Sequence, residues 1–271
     1  MKIAVIPTTE GAGGTFVSTN LAFVTNATYL DLSKNQIGHT FFEVQESSTH
    51  PLFATNRILA NDLCTDCNKC LSACSKKKFA INESGALLNC EGCPDGKCTL
   101  DCDKGALTAN DFQVAELTVE KSAKTTLARP KYSNHPLKLV AECAIEHLAS
   151  DHVIMDCLPA DGAYTLDCLK LCDYCIIVVE PGVFDFENFK SLVRLCKLAG
   201  KPFGVIINKF VTQYDKLFDY CNLHSTEVLA KIPLSARETK LITAGKLIAK
   251  EKFSYKQYFV NAFNVIKKKV K

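Results

Sequence analysis

The sequence predicts an α/β fold, a parallel sheet covered by helices, interrupted by a small insert of mixed α+β character. Three observations predict it. Short apolar runs alternate with helical periodicities on both sides of a central stretch. A glycine loop, Gly11, Gly13 and Gly14, joins the first apolar run to the first helical pattern. Eight of the fifteen cysteines crowd into residues 60–110, where no long periodic helix can be drawn. The domain reading is a discontinuous α/β domain, residues 1–58 and 111–271, with an insert at 59–110. A chain of 271 residues is long enough for both.

Residues 2–7, KIAVIP, are a short apolar strand, and Phe16 to Val24 follow the glycines as a helix with Leu21, Ala22 and Val24 on one side. Tyr29 to Leu32 form a second strand. After the insert, Leu137 to Leu148 is a helix and His152 to Asp156 a strand. Tyr174 to Val179 is a strand, and Phe184 to Ala199 a helix. Phe203 to Asn208 and Val228 to Ile232 are strands, and Tyr255 to Val270 closes the chain as an amphipathic helix.

The net charge is only +3, which gives no footing for nucleic acid or a membrane surface. Lys267, Lys268, Lys269 and Lys271 are the solvated end of a helix. No apolar run reaches spanning length, and the start MKIAVIPTTEGAGG lacks the charged and apolar regions of a signal peptide. The expected location is the cytoplasm. In that reducing compartment fifteen cysteines point to metal rather than to a disulfide framework.

Cys64, Cys67, Cys70 and Cys74 have the spacing C-x2-C-x2-C-x3-C, the run that wraps three corners of one cubane and sends its fourth cysteine to another. Cys90, Cys93, Cys98 and Cys102 repeat it with two further residues in the middle, where Pro94, Asp95 and Gly96 suit a turn. Cross-ligation then assigns Cys64, Cys67, Cys70 and Cys102 to one [4Fe–4S] cluster, and Cys90, Cys93, Cys98 and Cys74 to a second. The insert would be a bacterial-type ferredoxin module. Ser75 and Asp103 stand where that motif carries proline. Lys69, Lys76, Lys77, Lys78 and Lys97 form a solvated face, or alternatively dock an acidic redox protein. A pair of zinc sites is the competing reading. Cys168, Cys172 and Cys175 read as helix and strand packing rather than a third metal site, and Cys143, Cys196 and Cys221 as packing residues.

Beyond the cysteines, Thr19-Asn20-Leu21-Ala22, Val153-Ile154-Met155-Asp156, Val179-Glu180-Pro181, Gly204 to Lys209, Lys231-Ile232-Pro233 and Gly245 to Ile248 follow in a fixed order. Taken together the chain resembles the MinD/Mrp-like P-loop ATPases with an inserted ferredoxin domain, relatives of the nitrogenase iron protein. The resemblance implies ATP or ADP with Mg²⁺ on the loop Gly11, Gly13, Gly14, Thr15, with Thr15 on the metal. It also implies Asn208 and the Pro233–Arg237 segment at the base, and Asp156 at the Walker B position. The family loop K-G-G-x-G-K-T-T is degenerate here. Thr9 and Gly14 replace its two lysines, and Glu10 adds a negative charge. In the switch strand, Asp31-Leu32-Ser33, Ser33 stands where the family has its water-orienting Asp. Ala163 occupies the position of a cluster-bridging cysteine. Dimers follow from the resemblance, with a like subunit or with an intact MinD-like paralogue.

The expectation is an iron–sulfur electron-transfer or metallocofactor-handling protein with a redox protein partner, its ATPase scaffold retaining no autonomous catalytic residue set. The first alternative is an active ATPase whose missing cation comes from Lys34, Arg237 or a second subunit, coupled to electron transfer or cofactor assembly. The second is a zinc-binding or metal-free structural subunit. The identity of any redox partner, the direction of electron flow and the roles of Cys157, Cys168, Cys172 and Cys175 are outside what these residues specify.

Overall fold

A computed structural model describes residues 1–59, 61–74, 80–81, 87–88, 97–131, 133–160, 162–210, 215–233 and 235–270. Its strands are β1 (Lys2–Pro7), β2 (Thr28–Asp31), β3 (Glu46–Leu59), β4 (Ala80–Ile81), β5 (Leu87–Leu88), β6 (Leu107–Ser122), β7 (Thr125–Pro130), β8 (Val153–Asp156), β9 (Tyr174–Val179), β10 (Phe203–Phe210) and β11 (Val228–Pro233). Its helices are α1 (Gly14–Thr25), α2 (Lys69–Ala73), α3 (Lys97–Leu100), α4 (Leu137–Leu148), α5 (Gly162–Leu171), α6 (Val183–Leu198), α7 (Asp215–Leu223), α8 (Ala236–Thr243), α9 (Ile248–Glu251) and α10 (Phe253–Lys269).

Nine strands form one sheet in the order β11-β10-β9-β1-β8-β2-β7-β6-β3. The strands β11 to β7 pair in parallel, with Ile3 opposite Ile154 on one side and Tyr174 on the other. All six residues of β9 are buried, as a strand covered on both faces requires. The expected all-parallel sheet needs one correction. Only Ala123 and Lys124 separate β6 from β7, and a two-residue connection can join only antiparallel neighbours. Ala123 takes the left-handed φ of 48° that such a turn demands. β3 escapes a reading by pattern because it opens on six residues with no apolar period, ESSTHP, and then runs three apolar residues together, of which Leu52 and Ala54 are buried while Phe53 is 52 % exposed.

The chain divides into two compact units. The first holds Met1–Thr49, Thr118–Pro130 and Ala149–Lys271, and the second His50–Leu117 and Lys131–Leu148. The second is larger than the 59–110 stretch singled out by cysteine spacing.

In the first unit α1 packs under α10, where Phe16 meets Phe259 edge-on at 6.0 Å between ring centroids. Phe259, Ala262 and Ile266 are fully buried there. Helix α1 starts directly after Gly13, whose φ of 103° only glycine takes without strain. It ends at Asn26, left-handed at φ 52°, whose N–H donates to the Ala22 carbonyl. These two stops place the helix N-terminus at the carboxyl end of β1, the edge where open α/β sheets bind ligands.

Candidate functional site

The glycine loop sits between β1 and α1. Gly11 is left-handed at φ 87°, and Ala12 N–H donates to the Thr9 carbonyl at 3.3 Å. Asn208, at the end of β10, is 5 % exposed and donates from Nδ2 to the Ala12 carbonyl at 2.8 Å. The structure thus brings the residue expected at the base against the loop itself. Pro233 ends β11, and its carbonyl accepts from the Tyr255 hydroxyl at 2.7 Å. Leu234 lies outside the described residues.

Two substitutions in the loop have visible consequences. A Cβ at Gly14 would lie 2.9 Å from Pro7 Cγ and 3.0 Å from Cδ, so the proline ring occupies the ground from which the family's lysine would spring. Thr9 is tethered instead of reaching outward: its hydroxyl donates to Asp185 Oδ1 at 2.8 Å, and Thr8 donates to the same oxygen. Sequence reasoning misses Asp185, which ties the start of the loop to α6.

Beneath the loop lies a buried acidic pair. Asp31 and Asp156 are each 1 % exposed and paired in register across β2 and β8. Asp31 is fully engaged. Its Oδ1 accepts from Ser33 N–H at 3.1 Å and Ser33 Oγ–H at 2.5 Å, and its Oδ2 from Gly38 N–H at 3.1 Å. Asp156 is only half engaged. Its Oδ2 accepts from the Tyr29 hydroxyl at 2.8 Å, while Oδ1 has no hydrogen-bond partner among the described residues. Burial first, and the Asp31 carboxylate second, push its carboxyl up to about 7, against the nearby hydroxyls of Thr15, Tyr29 and Ser18 that favour the charged form. Tyr29 also escapes sequence reasoning, although a tyrosine in the short apolar strand TYLD calls for a polar partner at its buried tip. Gly38 is needed because a Cβ there would overlap the Tyr29 ring.

An orphaned carboxylate oxygen beside a second buried carboxylate and a threonine hydroxyl is an oxygen donor set for a hard divalent cation. Thr15 and Asp156 therefore fit Mg²⁺. Lys34 and Arg237, the substitute cations, are both exposed.

The cysteines of the expected clusters belong to the second unit, where Cys64, Cys67, Cys70 and Cys102 line one cavity of about 220 Å³. Cys90 and Cys93 lie outside the described residues. Cys98 is buried and packs with Leu107 against Cys70, Cys74 and Cys102. Burial raises the Cys70 thiol, while N–H groups of residues 104–107 lower that of Cys102. Two cross-ligated cubanes require Cys98 with Cys74 at one centre and Cys70 with Cys102 at another, each converging on its own metals. Among the described residues no group of three or more His, Cys, Asp or Glu is arranged to hold a metal ion. In the first unit Cys157, Cys168, Cys172, Cys175 and Cys196 are all at most 2 % exposed. The Cys157 thiol contacts Cys168, and that contact together with burial raises it well above its ordinary value.

Similar solved structures are P-loop ATPases. A ParA-family ATPase from Chlorobium tepidum is 15 % identical at a TM-score of 0.57, with 97 % of each chain covered. A chain of the MinC:MinD cell division complex from Aquifex aeolicus is 14 % identical at 0.58, covering 98 % of this chain and 95 % of that one. The septum site-determining protein MinD with Mg-ADP from Pyrococcus horikoshii is 13 % identical at 0.56, covering 97 % and 95 %. No family model and no curated protein matches the sequence. The likeness shows a MinD/ParA-type P-loop fold. The expectation of two [4Fe–4S] clusters, and of an electron carrier built on them, is set aside: among the described residues no group is arranged to hold a metal ion, and the fold neighbours are ATPases. No described helix is long and apolar enough to cross a membrane.

Proposed function

We propose that the chain is a Mg²⁺-dependent ATPase of the P-loop type, one in which a second subunit supplies the charge that its own loop lacks. The observation that carries this is Asp156, whose buried Oδ1 makes no hydrogen bond of normal geometry among the described residues and lies beside Asp31 and the Thr15 and Ser18 hydroxyls. A protein that had abandoned nucleotide would gain stability by replacing such a carboxylate, because a buried unpaired charge is costly.

The backbone N–H groups of residues 11–15 at the head of α1 hold the phosphate oxygens, as glycine loops at helix N-termini do. Thr15 and Asp156 hold Mg²⁺, which supplies neutralising charge on the phosphate oxygens when bound. Tyr29 fixes the rotamer of Asp156 through Oδ2, leaving Oδ1 for the metal. Asp31 holds the segment that follows β2 through Ser33 and Gly38. Asn208 braces the loop from β10. Positive charge opposite the γ-phosphate is missing, since Gly14 and Thr9 provide none, and Ser33 is no strong water-orienting base. Each such loss costs about 3 kcal/mol of transition-state stabilisation. Turnover by one chain alone is therefore slow, and pairing with a second chain accelerates it.

The test is calorimetric titration with ATP in Mg²⁺ and in EDTA, with phosphate release measured across protein concentrations. Mg²⁺-dependent affinity and a turnover per chain that rises with protein concentration are expected. Equal affinity in EDTA, or no binding, overturns the proposal.

A further inference from the structure

At the other end of α1 from the phosphate loop the first unit holds a second concavity of about 630 Å³. That volume is in the range of small-molecule sites. Its walls come from five separate places: the end of α1, the segment at 40–45, the turn between β6 and β7, the stretch 244–251 that joins α8 to α9 and includes α9's end, and Lys256 of α10. Helix α1 is 12 residues long, so roughly 18 Å of helix separates the two sites.

The lining has two characters. One part is apolar, with Phe23, Val24, Phe41, Phe42 and Leu247. The other is cationic, with Lys124, Lys246, Lys250 and Lys256 facing only Glu43 and Glu251 among charged residues. Lys250 is satisfied by Glu43 at 3.1 Å. Lys124, Lys246 and Lys256 have no carboxylate within ion-pair distance among the described residues. The three come from different elements, the β6–β7 turn, the α8–α9 connection and α10, so the fold and not local sequence gathers them. A whole-chain net charge of +3 makes such a local excess notable. The phosphate site has no part in it, since none of the loop residues 11–15, Asp31 or Asp156 lines this cavity.

From this we infer that the cavity is a binding site for a small amphipathic anion: an aromatic or acyl body carrying a phosphate, sulfate or carboxylate. The apolar wall takes the body, and the three uncommitted ammonium groups take the head. Inorganic phosphate alone lacks the first contact, and a neutral aromatic lacks the second. Either half alone therefore binds weakly, and the two joined bind more tightly than either.

The test uses 1-naphthyl phosphate as probe, titrated calorimetrically into the full chain already saturated with Mg-ATP, so that the phosphate loop is filled. If the chain binds no nucleotide the same titration is run without it, and the two proposals stand or fall separately. Saturable one-to-one binding is expected, at least tenfold tighter than inorganic phosphate or 1-naphthol. The triple variant Lys124→Gln, Lys246→Gln, Lys256→Gln should lose at least tenfold in affinity with an unchanged melting temperature. Phe41→Ser alone should weaken the probe but leave its salt dependence. No saturable binding overturns the inference, as does binding displaced by ATP or binding unaltered in the triple variant. Should the triple variant unfold, each single Lys→Gln variant carries the test, with a several-fold loss expected from each.

Discussion

Asp156 shows how a single side chain that costs folding stability can be kept for the chemistry of the proposed ATPase. Its carboxyl is raised from 3.8 to about 7, so the folded state keeps a proton that the unfolded state releases between about pH 4 and pH 7. Stability from this group falls as pH rises through that interval and is level above it. Asp156→Asn should therefore raise the melting temperature at pH 8 by up to about 10 °C, on the order of 4 kcal/mol, and leave it unchanged near pH 4. Scanning calorimetry at the two pH values checks this, and the variant should lose the Mg²⁺ dependence of ATP binding. The loop makes a paired prediction. Gly14→Lys alone forces the new Cβ onto Pro7, whereas Pro7→Ala with Gly14→Lys gives it room. The double variant should turn ATP over about a hundredfold faster than the parent, the usual worth of one such charge, and a rate no higher would remove the lysine argument. At this scale the sequence shows Asp31, Asp156, Thr15 and the glycines, because a motif is a local spacing. It hides Tyr29, Pro7 and Asp185, whose parts are set by what β8, α1 and the start of the loop bring against them.

Among the elements, the strands and helices with unbroken apolar pattern are legible almost to the residue. Leu137 to Leu148 and Tyr174 to Val179 have the same bounds in the pattern and in the structure. The longest strands are not legible, because β3 and β6 mix charged, polar and apolar residues, and the pairing of one with the other joins segments about fifty residues apart. The cysteine spacing misleads in the opposite way. A run of thiols specifies a cluster only if the chain folds them onto one centre, and among the described residues no three are arranged to hold a metal ion. The seam between α1 and α10 carries the prediction proper to this scale. Phe259 is fully buried against Phe16, so Phe259→Ala should cost about 3–5 kcal/mol in denaturant unfolding. It should leave ATP affinity in the surviving folded protein unchanged, because the loop is held from Asn208 and Asp185 rather than from α10.

For the molecule as a whole, the absence of lysine from the loop makes a second chain the natural source of positive charge. Light scattering should report one chain of 29.8 kDa without nucleotide and a shift toward two with Mg-ATP. A mass that stays at one chain while ATP is turned over would place the missing cation within the subunit. The sheet order has a different consequence, one for the ribosome. β1 is the first segment made, yet both its neighbours, β8 and β9, are made about 150 residues later. At ordinary elongation rates of 5–20 residues per second, roughly ten to thirty seconds pass before Ile3 can meet Ile154. Throughout that interval an apolar strand waits unpaired on the nascent chain, a natural client for a holding chaperone. A message cut short before the codon for Val153 leaves β1 with no partner at all, so its product is fit only for degradation.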